Sequence, residues 1–248
     1  MTIENIGSFK ELELAKSFNK KRYSKLPKNL KNVINNMYGS IEDNALIHCK
    51  QLEGTMKPDL EFEIKGEKHY VSMKSGSNGI VHQENIFQLC EHLKVIGISE
   101  YTIDTIQYFH FGDGTLDGSG KKRYQYRYLI NWLAKRIKYA NFELNANRKF
   151  VMHIVNRCIF KGTDPNNILA EFVYNGDKEY GVIVSRKHIL MHVKNNKYSY
   201  MDNLHIGPLI MHPHARYVDQ KIKNVKRRNT IEFHWANYFT SLRKIAAR

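Results

Sequence analysis

Residues 57–84 carry the pattern that most restricts how this chain can fold. Leu60, Phe62 and Ile64 alternate with Asp59, Glu61 and Glu63, the period of two that suits a half-buried strand. Lys65-Gly66-Glu67 interrupts the run, and residues 69–74 resume it. Two short alternating runs joined by a glycine turn predict an antiparallel hairpin. Asp59 opens the first strand after Pro58, and Lys74 closes the second, so the hairpin sets them side by side. Residues 75–79, Ser-Gly-Ser-Asn-Gly, predict a loop. Ile86, Leu89, Leu93 and Ile96 then recur at helical spacing, which predicts a helix over residues 82–97 with Glu84 near its start.

An acid, a strand, a turn, a strand, a lysine and a second acid form an order with chemical meaning. Phosphodiester hydrolysis needs an activated water, neutralised charge on the transition state and a stabilised leaving oxygen. Mg²⁺ meets much of this need with one or two carboxylates, because it keeps several waters and takes the substrate phosphate as a further ligand. A nearby lysine orients or helps deprotonate the attacking water. Asp59 and Glu84 are therefore the expected metal ligands, and Lys74 is the expected catalytic cation.

In this order the chain resembles the PD-(D/E)xK nuclease superfamily and, within it, type II restriction endonucleases. Most members place an acid two residues before the lysine, where this chain has Ser72. A branch of restriction enzymes shows Ser-x-Lys with the second acid moved to the following helix, the place read here for Glu84. The resemblance also implies an acid on the helix before the Pro-Asp strand, a place Glu42 fills better than Asp43. It implies an α/β fold with a restriction-endonuclease-like core, a mixed β-sheet flanked by helices, over about residues 30–111.

The partner expected from composition is an anion. Lys and Arg number 39 against 24 Asp and Glu, a net charge of +15 with His neutral. Neutralising phosphates is where most nucleic-acid affinity arises. Two stretches concentrate this charge. Residues 121–140 interleave Lys121, Lys122, Arg123 and Arg127 with tyrosines and Trp132, and residues 221–228 end in Lys226, Arg227 and Arg228. Both are expected to clamp phosphates of double-stranded DNA. Cys49, Cys90 and Cys158 are scattered, with no Cys-x-x-Cys pair to hold zinc, which fits buried thiols in a reducing cytoplasm. No apolar run approaches the roughly 18 residues of a membrane span.

The remaining pattern predicts a helix over residues 8–19 and a second over residues 30–52 with a break at Gly39. It predicts a strand over residues 102–111, a glycine-rich loop over 112–120, and helices from about Tyr128 to 140 and over 147–160. Short strands follow at 168–174, 179–185, 188–194, 206–211 and 230–235, a β-rich C-terminal part. The glycine loop holds Asp113 and Asp117 but lacks the spacing of a calcium loop. His192, His205, His212, His214 and His234 cluster late, and Pro213 between two of them reads as a turn at the surface.

The sequence therefore predicts one nuclease domain over residues 1–248, with its catalytic core at about 30–111 and a DNA-contacting part at about 121–248. The predicted activity is Mg²⁺-dependent cleavage of double-stranded DNA at a short specific site by a homodimer. The competing readings are a repair, recombination or phage nuclease of the same superfamily, and a non-catalytic nucleic-acid-binding protein on the same scaffold.

Overall fold

The computed structural model describes residues 3–52, 57–74, 79–120, 122–164, 166–200, 203–214 and 225–247, and side chains from Phe9 onward. The chain opens with α1 (Ile3–Phe18), β1 (Lys21–Arg22), α2 (Lys28–Tyr38), β2 (Leu46–Gln51), β3 (Leu60–Ile64) and β4 (Glu67–Lys74). It continues through β5 (Ile80–Asn85), α3 (Ile86–Val95), α4 (Glu100–Phe111), α5 (Tyr126–Ala146) and α6 (Arg148–Asn156). After a π-helical turn come β6 (Phe172–Gly176), β7 (Gly181–Ser185), α7 (Arg186–Asn195), β8 (His205–Ile206) and β9 (Leu209–Pro213). The last elements are α8 (Val225–Arg228), β10 (Thr230–Trp235) and α9 (Tyr238–Ala246). The fold is α/β, and no described helix is long and apolar enough to cross a membrane.

The chain forms two compact units. One comprises Met1–Gly79, Asn156–Asn195 and Asn237–Arg248, and the other Ile80–Val155 and Asn196–Ala236. The first unit is built on a six-stranded sheet in the order β1-β2-β3-β4-β6-β7. The strands pair antiparallel except β4 with β6, which run parallel, so the sheet is mixed. The expected hairpin is β3–β4, with Leu60 opposite Val71 and Ile64 opposite Glu67. Lys65 (φ 51°) and Gly66 (φ 85°) both sit in the left-handed region, as the tight two-residue reversal requires. Leu60, Phe62, Ile64, Val71 and Met73 meet Leu14, Phe18, Leu30 and Ile34 of α1 and α2 in one buried cluster. Phe18 and Phe62 meet edge to face with ring centroids 5.0 Å apart. Helices α7 and α9 pack on each other and on β7.

The second unit carries a four-stranded sheet in the order β5-β10-β9-β8, with α3, α4 and α5 packed in succession. Helix α4 starts at Ser99, whose hydroxyl accepts from the Thr102 amide, and ends at Gly112 (φ 63°). Its last carbonyls are taken by Arg123. That guanidinium donates to the carbonyl oxygens of His110, Phe111 (2.8 Å) and Phe109 (3.0 Å).

Several expectations are corrected. The predicted helix over 30–52 ends at Tyr38, because Gly39 (φ 74°) turns the chain, and Leu46–Gln51 is a strand whose Ile47 and Cys49 alternate inward. The predicted helix over 82–97 begins only at Ile86. Asn85 caps it by accepting from the Phe87 amide at 2.9 Å, and residues 80–85 before the cap are strand. Residues 102–111 form α4 rather than a strand. Residues 188–194 belong to α7, with Ile189 and Val193 buried one helical turn apart.

Arg123 spans three backbone acceptors, so its loss strands carbonyls at a helix end. Arg123→Met is expected to lower stability by about 1–3 kcal/mol in urea unfolding followed by circular dichroism.

Candidate active site

Pro58 is buried and Asp59 follows it into the sheet. The Asp59 amide donates to the Val71 carbonyl, and the Leu52 amide donates to the Asp59 carbonyl, each at 2.9 Å. The backbone of Asp59 is thus held between β4 and the end of β2 before the side chain makes any contact. Its Oδ2 accepts from the Ser72 hydroxyl at 3.1 Å and from the Met73 amide at 2.5 Å. Lys74 Nζ donates to the same Ser72 oxygen and to the Met73 carbonyl, both at 3.1 Å. Asn175, buried on the parallel strand β6, donates from Nδ2 to the Lys74 carbonyl at 2.6 Å and fixes the backbone there. Asp59, Ser72 and Lys74 are brought together as the hairpin predicts.

Ser72 is fully buried, and its hydroxyl links the lysine to the aspartate. A second carboxylate comes from α1. Burial first, then the charge of Asp59, raise the Glu11 carboxyl above the ordinary range. A hydrogen bond from Gln51 (3.0 Å) and the charge of Lys74 act against this. Glu11 stands at the head of the stripe Glu11, Leu14, Ala15 and Phe18, in which Leu14, Ala15 and Phe18 are core residues. A carboxylate in line with a core stripe was the signal available in the sequence for Glu11. No signal marked Gln51 or Asn175, whose roles depend on a helix packed over the strand and on a cross-strand neighbour, respectively.

Glu42 does not fill the helical place expected of it. It lies in the connection after α2, exposed, and pairs with Lys65 at 2.9 Å. Glu84 sits on strand β5 of the second unit, opposite Ile231, not on a helix. It is buried with its Oε1 3.3 Å from His82 Nε2. Glu61 is also buried, and Lys68 (3.0 Å) and Lys50 (3.2 Å) both reach it. Burial disfavours its charge, but these two lysines outweigh burial and hold the carboxyl below the usual range.

Of the expected phosphate contacts, Lys122, Arg127, Lys226 and Arg227 are exposed. Arg123 is engaged at the end of α4, and Arg228 is half-buried, with its carbonyl accepting from His110 Nε2 at 2.7 Å. Burial lowers the His110 pKa to about 4, which leaves the neutral imidazole to donate that bond. Lys121 lies outside the described residues. No family model, curated protein or solved structure matches the chain.

The charge of Asp59 opposes ionisation of Glu11, and these two carboxylates, with the Met73 carbonyl and the Lys74 ammonium nearby, form an oxygen-rich place suited to a hard divalent cation. The raised pKa of Glu11 fixes the sign of a stability effect. The native carboxyl keeps its proton at a pH where the unfolded one has lost it, so folding is favoured at low pH. That contribution fades as pH rises through the native value. Glu11→Gln is therefore expected to match the parent below about pH 4 and to exceed it in thermal stability at pH 7, in metal-free buffer. Scanning calorimetry from pH 3.5 to 8 checks this, and equal curves at pH 7 contradict it.

Proposed function

We propose that this chain is a Mg²⁺-dependent endodeoxyribonuclease of the PD-(D/E)xK type, and within that class a type II restriction endonuclease. It cuts double-stranded DNA at a short specific sequence. The reading rests on one observation above the others: Glu11, Asp59, Ser72 and Lys74 interact around the end of a β3–β4 hairpin whose second strand runs parallel to β6. The basic composition and the exposed Lys122, Arg127, Lys226 and Arg227 add to it. A palindromic site read by a two-fold homodimer follows from matching protein symmetry to DNA symmetry.

Asp59 and Glu11 would hold the cation, and the Met73 carbonyl is a further oxygen in reach of Lys74. Mg²⁺ at these carboxylates would supply charge neutralisation on the phosphate and activation of water. Ser72 takes the place of a third carboxylate. Its hydroxyl orients the Asp59 oxygen without adding charge, so the site carries two acids and not three. Lys74 is held by Ser72, by the Met73 carbonyl and, through its backbone, by Asn175. From there its ammonium positions the attacking water and offsets charge growing on the phosphate.

Asp59→Asn and Lys74→Ala are each expected to reduce cleavage of plasmid and phage DNA by about 10²–10⁴-fold with Mg²⁺. Glu11→Gln falls in the same direction, and Glu42→Ala stays within about twofold of the parent, the range of an exposed ion pair. Discrete fragments that vanish in EDTA support the restriction reading. DNA binding with no cleavage under any divalent cation overturns it.

A further inference from the structure

Helix α5 has two apolar stripes and buries only one. Leu129, Leu133, Ile137, Ala140 and Leu144 are buried. Tyr128, Trp132, Lys135, Tyr139 and Phe142 recur at spacings of four and three on the opposite, solvent side. Their aromatic members are between 43% (Trp132) and 74% (Phe142) exposed. Isolated exposed aromatics need no explanation, but a contiguous run of them does.

The run is continuous with rings from α4 and from the segment before α5. Tyr124 meets Tyr128 at 5.3 Å and Trp132 at 6.0 Å, edge to face. Trp132 meets Tyr108 at 5.4 Å. The Arg136 guanidinium lies 5.3 Å from the Tyr108 ring centre and 4.1 Å from that of Tyr101, which in turn meets Tyr139 at 5.1 Å. Arg136 is pinned by bonds to Thr105 Oγ1 (3.1 Å) and the Tyr101 carbonyl (3.3 Å). Each edge-to-face pair covers a face of only one of its two rings, and Trp132 and Tyr139 remain 43% and 49% exposed. From Tyr128 to Phe142 the stripe extends about 21 Å along the helix.

Charge decides what covers it. Lys122, Arg127, Lys135 and Lys138 are exposed on or beside α5. The only acid of α5, Glu143, is committed to capping α4, accepting from the Ser99 amide (2.9 Å), the Ser99 hydroxyl (2.6 Å) and Thr102. A second copy of the helix packed antiparallel about a two-fold axis centred on the stripe sets Lys135 against Lys135, with lysines and arginines on both flanks. A polyanion with exposed ring faces meets the same surface without that repulsion. Duplex DNA hides its base faces, whereas unpaired bases stack on aromatics while basic side chains track the backbone.

We propose that the α4–α5 face is a binding platform for single-stranded DNA, with Trp132 and Tyr139 as its stacking anchors. In naming DNA rather than RNA the proposal rests on the nuclease reading; the stacking argument does not.

The test is fluorescence anisotropy of the full chain with a labelled oligothymidylate of about 12 nucleotides, within the usual site sizes for such strands. It is run in EDTA, so that binding reads out whether or not cleavage is ever seen. Trp132→Ala and Tyr139→Ala are each expected to weaken binding about 5- to 100-fold. Trp132→Phe retains most of it, and Lys135→Ala with Lys138→Ala flattens the dependence on salt. Quenching of tryptophan emission by the strand disappears in Trp132→Phe, since the remaining Trp235 is buried. Unchanged affinity in both alanine variants overturns the platform. So does an equal loss of affinity for a duplex of the same length in those variants, tighter binding of the matching RNA, or a dimer that Trp132→Ala dissolves while oligonucleotide binding persists.

Discussion

The pairing of β3 with β4 is the constraint on which the first unit depends. With Leu60 opposite Val71, the residues that precede and follow that pair, Asp59 and Ser72, come within hydrogen-bond reach. The same register turns Leu60, Phe62, Val71 and Met73 into one core with α1 and α2. A slip of one residue exchanges the two faces of a strand, so the core and the polar cluster hold or fail together. The turn at Lys65-Gly66 sets that register through two left-handed backbone positions, and burial of the phenylalanine pair enforces it. Chemistry at the end of the hairpin is thus stabilised by packing along its length.

Electrostatics at this end run against stability. Glu11 and Asp59 are like charges in a partly buried place, where the Ser72 hydroxyl, the Met73 and Gln51 amides and the Lys74 ammonium are among the groups arranged around them. Glu61, not far along the same strand, is the contrast: two lysines meet it directly, and its charge is favoured. The two lysines outweigh burial at Glu61, whereas at Glu11 burial and the charge of Asp59 outweigh Lys74 and the carboxyl stays raised. Ser72 matters for the same reason, since a third carboxylate in its position deepens the repulsion.

Short-range patterning carried the hairpin, because alternation over residues 59–74 has no competing helical period. It also carried Asp59, Ser72 and Lys74, which are neighbours through that hairpin alone. It misread Glu84, since Ile86, Leu89 and Leu93 are truly helical and nothing but the Asn85 cap separates them from the strand before. It misread residues 102–111, where β-prone threonines and isoleucines are accommodated because Thr102, Ile103, Thr105 and Ile106 are buried against neighbouring elements. Glu42 was placed on a helix because the helical period was read through to residue 52, past the left-handed Gly39. The core stripe of α1 marks Glu11 in the sequence, but its place beside Asp59 depends on α1 packing against β2, a contact between residues 40 positions apart. The aromatic stretch near residue 128 was legible as a nucleic-acid signal, but the separation of its buried stripe from its exposed one was not.

The proposed Mg²⁺ site depends on the charge that Asp59 places on Glu11. The most direct measurement is a carbon-13 NMR titration of the Glu11 side-chain carboxyl. It compares the parent without metal, the parent with Mg²⁺, and Asp59→Asn without metal. A raised pKa is expected in the first, and a fall toward the ordinary carboxylate range in both of the others. A Glu11 pKa that ignores both Mg²⁺ and the loss of the Asp59 charge contradicts it.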